Sequence, residues 1–234
     1  MSRPPIEAVV LDMDGLLIDT EPVWRVAEVA VFTALGVELT EGELLDSTGQ
    51  TIEAVVPVWR LREPAPRDGA LRLSDGEVEE RIVDLVAAEV AATGVPMPGV
   101  GETIALLRRL GLPIAIASGS PPRMIEVVTE RLGLGWIEVR CSAMDEARSK
   151  PAPDVYLTAA RRLGVSPERC LAIEDSPSGV LAAKAAGMVC IAVPDPLLKG
   201  DPAYAEADVV LDALTELDER VLRAVGRESV LGLW

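Results

Sequence analysis

The feature that most constrains the fold is a short apolar run that recurs along the chain and stops on acidic or hydroxyl residues. Ala8-Val9-Val10-Leu11 ends at Asp12-Met13-Asp14-Gly15, and Pro113-Ile114-Ala115-Ile116-Ala117 ends at Ser118-Gly119-Ser120. A run of four or five apolar residues without alternation reads as a strand buried on both faces, the kind that belongs to a parallel sheet. Comparable runs occupy residues 170–173, 190–193 and 209–211. Between them, Ile104, Leu107 and Leu110, and then Met124, Val127, Val128 and Leu132, fall at helical spacing, giving each helix a face to lay on the sheet. Gly111 and Gly133 stand where left-handed helix caps are needed, and Pro177 where a first helical turn tolerates proline. This alternation predicts an α/β fold built on a doubly wound parallel sheet.

Residues 19–96 break the pattern. They hold no run of the buried-strand kind, only amphipathic stretches around 22–35, 51–61 and 76–93, the last with Val78, Ile82, Leu85, Val86 and Val90 as a helical stripe. The expected organisation is an α/β core from residues 1–18 and 97–234, with 19–96 as an inserted helical domain. Its borders are Thr20-Glu21-Pro22 and the breaker-rich stretch from Thr93 to Gly99, and two chain crossings there make a hinge. Trp24 and Trp59 belong to the insertion, where such residues are more often core than substrate contacts.

Composition removes whole classes of chemistry. The chain has 234 residues and no histidine, which excludes a Ser-His-Asp triad, a Cys-His pair, an HExxH zinc site and any histidine base. With 22 basic and 38 acidic residues the net charge is −16, so broad binding to nucleic acid or to an anionic membrane surface is not expected. A small anionic substrate remains open where a metal or a local cation reverses the sign. Cys141, Cys170 and Cys190 are odd in number and contain no C-x-x-C pair, so they read as small apolar residues of a protein kept in a reducing cytoplasm. The start, MSRPPIEAVVLD, is broken by Pro4, Pro5 and Glu7, and reads as neither leader nor anchor.

Four stretches carry groups suited to catalysis. Asp12 and Asp14, two apart at the carboxyl end of the first strand, start on one face and lie where open α/β sheets place ligands. Two carboxylates there can divide labour, one attacking or binding a hard cation, the other exchanging protons. Ser118 and Gly119 offer a hydroxyl and backbone N–H groups above a helix start, suited to a phosphate. Lys150, between Ser149 and Pro151, is a cation that can clamp a phosphoryl oxygen. Glu174 and Asp175 close another strand as a second acidic pair, and oxygen donors without His or Cys fit Mg²⁺ rather than zinc. Each stretch taken alone also admits an ordinary reading: a solvated turn, a helix cap, a surface lysine, an acidic N-cap.

In order, the stretches are VVLDMDGLLIDTEP (9–22), IAIASGS (114–120), SKPAPDVYL (149–157) and CLAIEDSPSG (170–179). This combination resembles the haloacid dehalogenase superfamily of Mg²⁺-dependent phosphotransferases, in the branch with a helical cap inserted after the first strand of a Rossmann-like core. The likeness covers roughly residues 6–217. It implies Asp12 as a nucleophile forming an aspartyl-phosphate, and Asp14 as general acid and base whose backbone carbonyl also reaches the metal. It further implies Ser118, Gly119 and Lys150 as phosphate contacts, Asp12 and Asp175 as metal carboxylates, and Glu174 as a group positioning the metal's waters. DSTGQT at 46–51, with Thr48 and Gly49, looks like the cap's specificity loop.

The look of the whole chain is similar to sugar-phosphate phosphatases, acting on hexitol phosphates or 2-deoxyglucose 6-phosphate. Beta-phosphoglucomutases are the alternative, but they carry an arginine where Ile52 aligns, and an uncharged Ile52 favours water as acceptor. A signalling receiver needs about half this length. A hydrolytic dehalogenase of the same fold needs neither Asp14 nor a metal. The expected partner is a small phosphorylated metabolite, with no nucleic acid or membrane, and the expected state a monomer or weak homo-oligomer.

Overall fold

A computed structural model describes residues 5–47, 50–64 and 73–226. The strands are β1 (Ala8–Leu11), β2 (Ile114–Ser118), β3 (Val139–Ser142), β4 (Cys170–Glu174), β5 (Val189–Ala192) and β6 (Val209–Val210), hydrogen-bonded in the order β3-β2-β1-β4-β5-β6 and parallel at every pairing. The α/β expectation is met. β1 is buried along its whole length, with β2 on one side and β4 on the other. That position explains its unbroken apolar run, since both faces are covered.

From β1 the chain passes through α1 (Glu21–Ala34), α2 (Glu41–Asp46), α3 (Ile52–Arg60), α4 (Asp75–Thr93) and α5 (Val100–Arg109) before it reaches β2. Helices α6 (Pro122–Arg131), α7 (Asp154–Leu163) and α8 (Pro177–Ala185) then alternate with strands, and α9 (Glu219–Gly226) follows β6. Gly111 and Gly133 both take φ near +67°, as their capping places require, and Pro177 is the first residue of α8.

The chain forms two compact units, one of residues 1–19 with 95–234, the other of residues 20–94. In the sheet unit, α7 packs across β1, β2 and β3. The layer beneath it is made largely of small side chains, including Ala8, Ala115, Ala117 and Ala172, and the fully buried Tyr156 of α7 fills the space they leave. The three cysteines are free and buried in this unit, in keeping with their reading as small apolar residues. The outgoing and returning chain segments are tied by an antiparallel bridge between Ile18 and Pro96, and the Met97 N–H donates to the Leu17 carbonyl at 3.0 Å.

In the other unit α4 packs against α1 and α3. The Phe32 and Trp59 rings meet edge to face with their centres 5.3 Å apart, and Trp59 is buried, so it is core. Ser74 and Glu77 form a reciprocal capping box at the start of α4. Val78, Ile82, Val86 and Val90 are buried as one i, i+4 ridge, but Leu85 is 47% exposed. Leu85 lies one position off that ridge, and the buried stripe widens instead toward Val83 and Ala87. Among the described residues no helix is long and apolar enough to cross a membrane.

Candidate active site

The strand order reverses between β1 and β4, and ligands bind at the carboxyl ends of strands at such a point. Leu11 is in register with Ile173, and the Asp12 N–H donates to the Ile173 carbonyl at 3.0 Å, so Asp12 and Glu174 emerge side by side. Beyond Asp12 the chain turns tightly: Leu17 N–H donates to the Met13 carbonyl and Gly15 N–H to the Ile18 carbonyl, each at 2.8 Å. Gly15 has φ +81°, and a Cβ there would lie 1.9 Å from Asp175 Oδ2. Glycine at this position therefore admits the Asp175 carboxylate.

Lys150 links the strands. Its Nζ donates to Asp12 Oδ1 at 2.5 Å, to Glu174 Oε1 at 2.6 Å and to the Ala117 carbonyl at 3.1 Å, which uses all three ammonium protons. Burial works against the charged ammonium, but Asp12 and Glu174 outweigh it and hold Lys150 protonated. Tyr156 lies in the first turn of α7, its ring centre 5.1 Å from Nζ, and its hydroxyl donates to Glu174 Oε1 at 2.6 Å. Burial first, then the Glu174 charge, push the Tyr156 hydroxyl well up, so it stays a phenol and a donor.

Glu174 is wholly buried. Its second oxygen accepts from the N–H groups of Asp175 and Ser176, each at 3.1 Å, and from Ser176 Oγ at 3.0 Å. Five donors thus hold this one carboxylate. Ser176 also caps α8, accepting from Gly179 N–H at 3.1 Å. Gly179 lets the helix start approach, since a Cβ there would fall 1.7 Å from Glu174 Oε1. The Asp175 carbonyl accepts from the buried Tyr204 hydroxyl.

Asp12, Glu174 and Asp175 place carboxylate oxygens within 4.8 Å of one another, all buried. Lys150 brings one positive charge to three acids. Burial, only partly opposed by Lys150, pushes the Asp12 carboxyl up to about 8, and burial with the Asp12 and Glu174 charges pushes Asp175 well above the usual carboxylate range. A surplus of buried negative charge on hard oxygen donors fits a divalent cation such as Mg²⁺, which would offset it.

Asp14 goes elsewhere. Its Oδ2 accepts from Ser118 Oγ at 2.9 Å and from Ser120 Oγ at 2.8 Å, at the end of β2. Gly119 lies between these serines, just ahead of α6. The structure therefore brings Asp12, Lys150, Glu174 and Asp175 into one cluster and sets the Asp14 carboxylate against the serines. Thr48 and Gly49 lie outside the described residues. Sequence reasoning did not single out Tyr156, Ser120, Ser142 or Tyr204. The available signal was a polar atom in an otherwise apolar setting, which must find a partner when buried.

Comparison with known proteins shows the family. A family described as haloacid dehalogenase-like hydrolase matches residues 6–187. Hexitol phosphatase B of Escherichia coli strain K12 is 43% identical over 225 residues, 95% of this chain and 99% of that protein. The crystal structure of CbbY from Rhodobacter sphaeroides in complex with phosphate superposes with a TM-score of 0.78 at 31% identity, covering 91% of this chain and 96% of that one. A beta-phosphoglucomutase from Clostridium difficile reaches the same TM-score at 19% identity, over 95% of this chain and 98% of its own, a likeness of fold alone. With a match that spans most of its length and an acidic cluster at the switch point of its sheet, this chain belongs to the haloacid dehalogenase-like hydrolase family.

Proposed function

We propose that this hydrolase is a Mg²⁺-dependent phosphatase of small sugar or sugar-alcohol phosphates, of the hexitol phosphate and 2-deoxyglucose 6-phosphate class, working through an aspartyl-phosphate on Asp12. The observation that carries the reading is the pairing of a buried, lysine-bound Asp12 with a second carboxylate, Asp14, held apart from it by hydroxyl donors. The 43% identity to a hexitol phosphatase supports the substrate class.

In this reading Lys150 favours the ionised form of Asp12 and aims it, and offers positive charge to a phosphoryl oxygen as Asp12 attacks phosphorus in line. Ser118 Oγ and the Gly119 N–H hold the other phosphate oxygens. Asp14 gives its proton to the departing alcohol, then takes one from the water that attacks the aspartyl-phosphate, so one group serves both half-reactions. Asp12 and Asp175, with the Asp14 backbone carbonyl, would hold Mg²⁺, which when bound supplies positive charge against the repulsion between carboxylate and phosphate. Glu174, already carrying five donors, holds Lys150 and the turn at 175–176 in place and would help orient waters of the metal. Residues 20–94 serve as the cap, and the stretch with Thr48 and Gly49 as its specificity loop.

Phosphate transfer to a second sugar hydroxyl is not favoured, because Ile52, buried at the start of α3, offers no charge for a second phosphate. The test is release of inorganic phosphate from a panel of hexose, 2-deoxyhexose, hexitol and glycerol phosphates, with and without Mg²⁺. Stoichiometric, Mg²⁺-dependent release that favours the hexitol or 2-deoxyhexose phosphates is expected. Negligible release from every compound would overturn the reading.

A further inference from the structure

Two hydroxyls donate to one oxygen of Asp14, Ser118 Oγ at 2.9 Å and Ser120 Oγ at 2.8 Å. A serine carries a single hydroxyl proton and can give it to one acceptor at a time. In the reaction proposed above Ser118 turns that proton to a phosphate oxygen and so lets go of Asp14. Ser120 can keep its hydrogen bond to Asp14 while that happens.

The surroundings of Ser120 are built to keep it there. Its N–H donates to Ser118 Oγ at 2.9 Å, and its carbonyl accepts from Ser142 Oγ at 2.7 Å. Ser142 ends β3, is 2% exposed, and has its own hydroxyl oxygen fixed by the Met144 N–H at 3.1 Å. Ser120 is therefore gripped on both its backbone groups, one from β2 and one from β3, with its hydroxyl directed at Asp14. A donor held in this way to Oδ2 restrains the plane of the Asp14 carboxyl group.

We propose that Ser120, backed by Ser142, is a positioning residue that keeps the Asp14 carboxyl group oriented for proton transfer while Ser118 serves the phosphate. Ser120 keeps its own proton throughout. The proton given to the leaving alcohol comes from Asp14, and the one replaced comes from the attacking water. This assignment rests on the phosphatase reading.

The test compares Ser120→Ala, Ser120→Thr and Ser142→Ala with wild type, as Mg²⁺-loaded enzymes, on a hexitol phosphate and on p-nitrophenyl phosphate. The nitrophenolate departs without needing a proton, so its burst reports attack by Asp12 alone, while the later turnover needs Asp14 as base. Ser120→Ala is expected to slow single-turnover cleavage of the hexitol phosphate by roughly 10–100-fold, part of what a general acid supplies. It should leave the nitrophenolate burst nearly unchanged, slow the turnover that follows, and leave KM and Mg²⁺ affinity close to wild type. Ser120→Thr should recover most of the loss, and Ser142→Ala should show a smaller loss of the same pattern.

A burst slowed as much as the alkyl cleavage would place Ser120 on the phosphate and overturn the assignment. Alkyl cleavage unchanged in a folded Ser120→Ala variant would overturn it as well, as would loss in Ser120→Thr equal to that in the alanine variant. No Mg²⁺-dependent release of phosphate from either compound by the wild-type enzyme would overturn the phosphatase reading itself, and the Ser120 assignment with it.

Discussion

Replacing Lys150 with methionine removes the ammonium that ties Asp12 to Glu174 but keeps most of the buried stem. The side chain is 9% exposed and bonds two carboxylates at 2.5 and 2.6 Å, so its loss leaves both without their buried cation. Breaking a buried pair from one side costs on the order of 3–5 kcal/mol. The lower end applies here, because Asp12, already pushed up to about 8 with Lys150 present, can relieve part of the penalty by taking a proton. A loss of about 3 kcal/mol in a chain of this size lowers Tm by roughly 6–12 °C.

The pH dependence follows from the same group. Asp12 has a folded value above its ordinary 3.8, so its contribution to stability is present below that value and is lost as pH rises through about 8. The gap between wild type and Lys150→Met should therefore be widest near pH 8.5 and narrow toward pH 5.5, where a protonated Asp12 no longer needs the ammonium. Thermal melts of metal-free protein at both pH values measure this. A variant melting within about 2 °C of wild type at pH 8.5, or a gap that widens on acidification, would refute the reasoning.

Two further perturbations test the surroundings. Gly15→Ala sets a methyl group 1.9 Å from Asp175 Oδ2 at a residue with φ +81°, and is expected to weaken Mg²⁺ binding about 10–100-fold by calorimetry; unchanged affinity would contradict the packing described. Glu28 in α1 is 7% exposed, and burial first, then Glu21, push its carboxyl up to about 7 against the pull of Arg25. Its contribution to stability is lost as pH rises through about 7, so Glu28→Gln should match wild type near pH 5 in urea unfolding and exceed it near pH 8.5 by on the order of 2 kcal/mol. A glutamine variant less stable than wild type at pH 8.5 would contradict this.

Strands covered on both faces were legible because burial leaves an unbroken apolar signature, as in β1 and β4. β3 was not. As an edge strand paired only with β2 it carries Val139 and Arg140 half-buried, and the sequence Val-Arg-Cys-Ser shows neither a continuous run nor a clear alternation. The six-residue α2 is likewise too short to display a helical period. At the site, Asp12, Lys150, Glu174 and Asp175 could be read from strand ends and charge. What supports them could not. Tyr156 looks like one more core residue of an amphipathic helix until its hydroxyl is seen on Glu174, and the contact between Ser142 and Ser120 joins residues 22 apart through a strand pairing that local pattern does not reveal.

The central claim is that Asp12 carries the phosphoryl group, and the most direct measurement is to quench the Mg²⁺-loaded enzyme in acid during turnover of a hexitol phosphate and map the modification by mass spectrometry. The account predicts one phosphoryl group on the peptide containing Asp12, lost on standing in base, and neither phosphoryl group nor turnover in Asp12→Asn. Mg²⁺-dependent release of phosphate by Asp12→Asn at the wild-type rate, or a phosphoryl group trapped on any other residue, would contradict it.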